Sequence, residues 1–389
     1  MIYKRIGDYI ELVDERNKSL EVTTLLGLSI SKQFIPSVAN TIGTNMKNYK
    51  IIRKNQFACS VMQVRRDGKM PVALLKDFDE AIISQAYPVF RVIDEEKLLP
   101  DYLMMWFIRS EFDRQATFHA VGGVRGSLEW EDFLDFELPI PNIEKQRQIV
   151  AEYNTISNRV KLNEELNQKI EATSQALYKH WFVDFEFPNK DGKPYKSSGG
   201  EMVFNEELDT DIPVGWSVEK ISQFIEVKYG KDYKHLSEGC IPLYGSGGIM
   251  KYVNDILYDK PSILIPRKGS LQNILLIDEP FWSVDTMFYS KIKKEHCRYY
   301  IYHFLCGIDF YALNHGAAVP STTTELLNNL QLNKPENDLL EIFNSRIEIL
   351  FKRIRENQKQ SQILQEIQSL LLAKMTRVEV KKETIYLEK

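Results

Sequence analysis

The stretch LPIPNIEKQRQIV, residues 138–150, has a counterpart in LNKPENDLLEIFN, residues 332–344. A shift of 194 residues lays one on the other, so that Leu138 falls on Leu332 and Pro141 on Pro335. The same shift places Gly122 on Gly316 and Ser127 on Ser321. Self-similarity at a fixed offset marks a duplicated structural unit. In each copy the stretch reads as the end of a globular unit running into a helix. The starts of the units match too, at a shift of 215: Ile6, Tyr9 and Ile10 against Ile221, Phe224 and Ile225. The two shifts differ by 21 residues, which makes the second unit shorter, through its loops.

After each stretch comes a long helical pattern. In the second copy Leu340, Phe343, Ile347, Leu350, Ile354, Asn357, Ser361, Leu364, Gln368 and Leu371 are spaced three and four apart. The first copy repeats the spacing from Gln146 and Ile149 through Tyr153, Ile156, Val160, Asn163, Asn167 and Ile170 to Ser174 and Leu177. That is a heptad seam in both copies, uninterrupted by Pro or Gly. Two amphipathic helices packed on their own units would explain it, and so would two helices packed on each other. The second reading is preferred because the stripe is narrow, as a coiled coil needs. Asn163 and Asn357 also hold the same register, and a polar residue in a seam fixes register at some cost in stability. Two such helices in one chain form most simply an antiparallel pair with approximate two-fold symmetry.

The globular units are mixed. YKIIR, FACSVMQV and YPVFRVI read as strands in the first, and PSILIP, NILLID and TMFYSKI in the second. LPDYLMMWFIRSEFDRQA and CRYYIYHFLCGIDFYALN read as helices. The expected class is therefore α+β: two strand-rich mixed domains separated by a pair of long antiparallel coiled-coil helices, in a pseudo-two-fold repeat. The expected boundaries are 1–142 for the first domain, 143–186 for its helix, 187–216 for a Gly-, Pro-, Lys- and Ser-rich linker, 217–335 for the second domain, 336–376 for its helix and 377–389 for a tail.

The chain has 389 residues, 43% apolar and 27% charged, as a soluble protein of two or three domains would. Its N-terminus has no apolar signal region and no apolar run reaches a membrane span, so a cytoplasmic protein away from membranes is expected. Cys59, Cys240, Cys297 and Cys306 are scattered without a CxxC pair, which points to reduced thiols and no zinc site. The net charge of −4 counts against nucleic-acid binding, although acidic surface elsewhere can mask local basic patches.

The order of motifs resembles a known family. GGVRGSLEWEDFLDFELPIPNIEKQRQIVAEYNTI, residues 122–156, is similar to the end of a target-recognition domain running into the central helix of type I restriction–modification specificity subunits. QKIEATSQALYKHWFVDFEFP, GKPYKSSGGEM and IPVGWSVEKI match the family pattern after that helix. IPLYGSGGIMKYVNDILYDKPSILIPRKGS and PFWSVDTMFY resemble a common class of recognition domain. The resemblance covers essentially the whole chain. It implies a non-catalytic subunit without a cofactor. Each domain would read one half of a bipartite, asymmetric site in double-stranded DNA. The helices would set the spacer. Two modification (methyltransferase) subunits would dock on the chain, with restriction–translocase subunits added in the full complex.

Phosphate contacts position such a protein and base contacts specify the sequence. Candidates in the first domain are Arg65 and Arg66 of VRRDGKM, which is otherwise a solvated hairpin turn, and Arg125 and Ser127 of GGVRGSL. The second copy keeps Ser321 and adds Thr322 but has no counterpart of Arg125. In the second domain YGSGGIMKY supplies Tyr244, Ser246, Gly247, Gly248 and Lys251, and IPRKGS supplies Arg267, Lys268 and Ser270. KIKKEHCR, residues 291–298, is basic but reads as a solvated loop.

Catalytic signatures are missing from the sequence. There is no adenosylmethionine-binding glycine loop with an Asn/Asp-Pro-Pro-aromatic motif, and no GxxxxGK[ST] phosphate loop. The six histidines form no ligand-spaced cluster, so no metal is expected. The alternative to a DNA-reading subunit is a coiled-coil scaffold whose globular ends bind proteins.

Overall fold

The computed structural model describes residues 3–37, 44–62, 64–121, 126–314 and 321–375. They fall into two compact units. Unit 1 takes the chain up to Asn163 and again from Lys359, and unit 2 takes Glu164–Gln358.

Unit 1 opens with β1 (Tyr3–Arg5), a 3-10 turn at Ile6–Asp8 and β2 (Ile10–Val13). A hairpin of β3 (Leu26–Leu28) and β4 (Phe34–Pro36) follows, then β5 (Lys50–Arg53) and β6 (Phe57–Cys59). After the short helix α1 (Val64–Asp67) come β7 (Val72–Leu74), β8 (Glu80–Ile83) and β9 (Val89–Val92). Helices α2 (Pro100–Ile108), α3 (Ser110–His119) and α4 (Trp130–Leu134) lead to β10 (Glu137–Pro139). The central sheet is antiparallel in the order β2-β9-β6-β7. Alternate residues of a strand point to opposite faces. Phe57, Cys59, Phe90 and Val92 therefore enter the helix-covered core, while Ala58 and Val89 enter a smaller cluster on the other side. Phe57 and Phe90 are cross-strand partners with rings stacked 4.9 Å apart.

Helix α5 (Ile143–Tyr178) starts directly after β10. Asn142 caps it, its side-chain oxygen accepting from the Lys145 amide at 2.9 Å. Gln146, the first seam position, is fully buried. It accepts from the Leu99 amide and donates to the carbonyls of Lys97 and Pro141, each at 2.9 Å. A buried amide satisfied this completely ties the helix start to unit 1.

Unit 2 begins with the rest of α5 and a π-helical turn at Lys179–Val183. The segment expected to be a linker is folded. It forms an antiparallel hairpin of β11 (Met202–Asn205) and β12 (Thr210–Pro213), and Phe187, Ile212 and Trp216 are buried in the unit's main core. Then come β13 (Ser217–Lys220), a 3-10 turn at Ile221–Gln223, β14 (Ile225–Tyr229), the hairpin β15 (Glu238–Gly245) and β16 (Gly248–Val253), and β17 (Ser262–Pro266). Strands β18 (Leu275–Ile277), β19 (Trp282–Ser283) and β20 (Met287–Ile292) precede α6 (Arg298–Cys306), α7 (Thr324–Asn329), β21 (Gln331–Lys334) and α8 (Asn337–Lys374).

The repeat seen in the sequence is a repeat of topology. The order β14-β20-β17-β18 in unit 2 reproduces β2-β9-β6-β7, antiparallel throughout. In each unit the strand just before the 3-10 turn pairs antiparallel with the strand that precedes the long helix, β1 with β10 and β13 with β21. Ile6 and Ile221 open the equivalent turns and are both fully buried. The units differ where loops are inserted. Unit 1 adds β3-β4 and a β5-β8 pair, while unit 2 adds the three-stranded β16-β15-β19.

Helices α5 and α8 run antiparallel. Within unit 1, Ser157 meets Gln368 at 2.6 Å and Asn163 meets Ser361 at 3.1 Å, so one helix rises in number as the other falls. Both sequence readings of the seam hold, on different lengths. Leu340, Phe343, Ile347 and Ile354 are buried in the core of their own unit, as the first reading has it. The polar middle of the seam pairs helix with helix.

Candidate nucleic-acid interface

In unit 1 the fold brings two predicted segments together. The Arg65 amide donates to the Gly126 carbonyl at 3.3 Å. Val121 and Ser127 exchange backbone hydrogen bonds at 2.9 and 3.0 Å. Gly126 is required there, because a Cβ would lie 2.6 Å from Cβ of Arg65. VRRD is a helical turn and not the hairpin turn that its sequence suggests. Arg65 and Arg66 are exposed on it, with Arg66 paired to Asp67 at 2.6 Å. Arg125 lies outside the described residues.

In unit 2 three predicted segments converge. Ser246 and Gly247 form the two-residue turn between β15 and β16, and Gly248 has φ +109°. Gly269, at φ +86°, lies against the Ser246 side chain and leaves no room for a Cβ. Asn273 Nδ2 donates to the Ser246 carbonyl at 2.8 Å. The Thr322 amide donates to the Arg267 carbonyl at 3.0 Å, which brings the Ser321–Thr322 segment to the same place. Lys268 and Ser270 are exposed there. Arg267 is half-buried, its guanidinium 5.4 Å from the Tyr229 ring centre and donating to the Asp285 carbonyl at 3.4 Å. Lys251 sits on β16 with Nζ 5.0 Å from the ring centre of Tyr233.

Two predicted contact residues are corrected. Tyr244 is buried with its neighbour Leu243 in one core cluster, at a register shift of the β15-β16 hairpin that falls between the two residues. Its hydroxyl reaches Glu279 at 3.4 Å, and burial raises its pKa, with the Glu279 charge adding to the effect. It therefore supports the hairpin from below. Thr322 is also buried, and its backbone, not its side chain, shapes the site. KIKKEHCR is not a solvated loop throughout, because Cys297 and Arg298 are buried. Arg298 joins Asp278, Glu348, Arg355 and Tyr299 in one charged cluster.

Supporting residues that the sequence did not reveal are Asn273, Thr286 and Tyr311. The Thr286 carbonyl accepts from the Arg267 amide at 2.9 Å, and the Tyr311 hydroxyl donates to the Gly269 carbonyl at 3.2 Å. No local motif marks them, since they act across the chain. Among the described residues, no group of three or more His, Cys, Asp or Glu side chains could hold a metal ion, and no helix is long and apolar enough to cross a membrane.

Comparison with known proteins decides what carries these loops. The family described as type I restriction modification DNA specificity domain matches twice, at residues 31–172 and 213–369. The chain belongs to that family. Specificity subunits of type I restriction–modification systems are the DNA target-recognition components of those systems, and this chain is similar to several. The MjaIX specificity subunit of Methanocaldococcus jannaschii is 24% identical over 323 residues, 76% of this chain and 72% of its own length. The HindI specificity subunit of Haemophilus influenzae is 28% identical over 139 residues, 35% of this chain and 30% of its own. The solved S subunit from M. genitalium shares the fold, with a TM-score of 0.57, 17% identity and coverage of 97% of this chain and 96% of that one.

Proposed function

We propose that the chain is the non-catalytic DNA-reading subunit of a cytoplasmic type I complex. Each unit reads one half of a bipartite site. The observation that carries this is a repeated scaffold with unrepeated loops. Both units share one sheet order, yet one offers Arg65, Arg66 and Ser127 where the other offers the Ser246, Lys268 and Ser270 cluster. Equal scaffolds with unequal contact sets imply unequal half-sites, and so an asymmetric target. The two recognition domains are those bounded at 1–142 and 217–335, with residues 187–216 folded into the core of the second.

The helices set the spacer. At 1.5 Å per residue each is roughly 55 Å long, enough to hold two reading heads about one turn of DNA, ~35 Å, apart. Exposed apolar side chains outside the seam, among them Leu162, Ile349, Ile363 and Leu370, supply the surface on which two methyltransferase subunits dock. Restriction–translocase subunits complete the assembly. The test is methylome sequencing of cells expressing the chain with its modification subunits. Methylation at one split, asymmetric site is expected, and its absence would refute the reading.

A further inference from the structure

Phe118 is 85% exposed, more than any other large apolar side chain among the described residues. Leaving a phenyl ring in water forgoes the transfer free energy that burial would give, and an exposed apolar ring can wedge at a base step or pack on a base edge.

The surroundings of Phe118 are specific. It lies in the last turn of α3, one turn beyond Arg114, which is exposed on the same helix face. Three residues later Val121 pairs with Ser127, and Gly126 beside Ser127 accepts from the Arg65 amide. α1, with Arg65 and Arg66, packs on α3. Phe118 therefore shares a helix face with Arg114, its ring set edge-on to His119 at 5.4 Å, on the helix against which α1 brings the exposed Arg65 and Arg66, with Lys69 exposed just beyond α1. Nearby acids partly offset this charge. Glu111 lies 3.6 Å from Arg114, Asp67 pairs with Arg66, and Glu129 is exposed after Ser127. Unit 2 has a similar plan. Leu313 is 48% exposed, and Tyr311, two residues before it, donates to Gly269 in the RKGS loop.

We infer that Phe118 is an apolar DNA-reading residue of unit 1. Cations on either side would hold the phosphates while the ring packs on a base edge or wedges at a base step of the half-site. Apolar side chains read thymine methyl groups and open base steps in this way. The inference rests on the DNA-reading function proposed above and adds a specificity-determining residue to it.

The experiment compares the wild-type chain with F118A and F118L, each assembled with the modification subunits. Methylome sequencing of the wild-type complex first defines the split site. F118A is then expected to relax one or two base positions, or to weaken binding about tenfold or more, in the half-site read by unit 1 alone. F118L should retain most of the wild-type preference. Melting temperatures should agree, because so exposed a ring contributes no core packing. A split site that F118A reads as the wild type does overturns the inference and leaves the function standing. A wild-type chain that directs no split-site methylation overturns both.

Discussion

Asn357 donates from Nδ2 to Oδ1 of Asn167 at 2.8 Å, and the pair has a counterpart in Asn163 and Ser361 at 3.1 Å. The 194-residue shift converts one pair into the other, carrying Asn163 to Asn357 and Asn167 to Ser361. Asn163 and Asn357 are each about 2% exposed. Burying an amide costs free energy unless its hydrogen bonds are made. These bonds are made only when the helices sit in one antiparallel register. A slip by one heptad in one direction would set Asn163 against Ile354 and Asn357 against Val160, burying both amides among aliphatic side chains. The same rule that makes the pairs costly makes them specific.

Replacing both partners, N167L with N357L, is expected to raise the melting temperature and to lose the single register. Thermal unfolding and light scattering after size exclusion read the two effects. N357A alone should instead destabilise the chain by about 1–2 kcal/mol, because it leaves the Asn167 amide short of its partner. Equal melting temperatures in the wild type and both variants would show that the pair does not hold the register.

His303 gives a pH-dependent prediction. Its Nδ1 lies 2.7 Å from Oε1 of Gln175, whose amide nitrogen faces the His303 carbonyl, so Nδ1–H is the donor. The rings of Tyr178, Tyr302, Phe343 and Phe351 surround it. Burial pushes its pKa down from 6.5 to about 3. The folded chain thus holds the ring neutral, while the unfolded chain takes up a proton below about pH 6.5. Stability is fully present above that pH and declines as pH falls toward 3. Denaturant unfolding at pH 7.5 and 5 should show a larger loss for the wild type than for H303N. Identical losses would mean that His303 is not the group responsible.

The parts that were legible in the sequence are those where a side chain's character agrees with its surroundings. Ile6 and Ile221, or Leu340 and Ile347, are apolar and buried, so their spacing announced the repeat and the seam. The misreadings came from side chains whose partners are distant in sequence. Arg298 looked solvated in a basic run, but Asp278 and Glu348 neutralise it in the interior. Tyr244 looked like a contact residue beside flexible glycines, but it is buried with Leu243 in one cluster across a register shift of the hairpin. Residues 187–216 read as a linker because they are rich in Gly, Pro, Lys and Ser, while Phe187 and Trp216 anchor them by stacking at 5.1 Å. At the interface, sequence reading found the loops and missed the residues that hold them in place, such as Asn273.

Arg267 tests whether the unit 2 cluster reads bases. Its backbone is fixed by Thr286 and Thr322, so truncating the side chain leaves the loop in place. R267A is expected to cost about 1–3 kcal/mol of binding if the guanidinium pairs a base edge, and to relax one position of the second half-site only. Competition binding with duplexes varied at each position measures this. Relaxation in the first half-site would reassign the unit.

The ruler role makes the most geometric prediction. Because α5 and α8 are antiparallel and joined by register-specific amides, a heptad placed in one helix between the two amide pairs would put the Asn163–Ser361 pair out of register with the Asn357–Asn167 pair. Seven residues inserted into both helices, between Asn163 and Asn167 and between Asn357 and Ser361, keep each seam in phase. Each helix grows by about 10 Å, close to three base pairs at ~3.4 Å each. Methylome sequencing should then return the two original half-sites with a spacer longer by about three base pairs. The added length also turns the two half-sites relative to each other around the duplex, so affinity should fall even where the half-sites are unchanged. An unchanged spacer would show that the helices do not measure the gap and that the units find their half-sites independently.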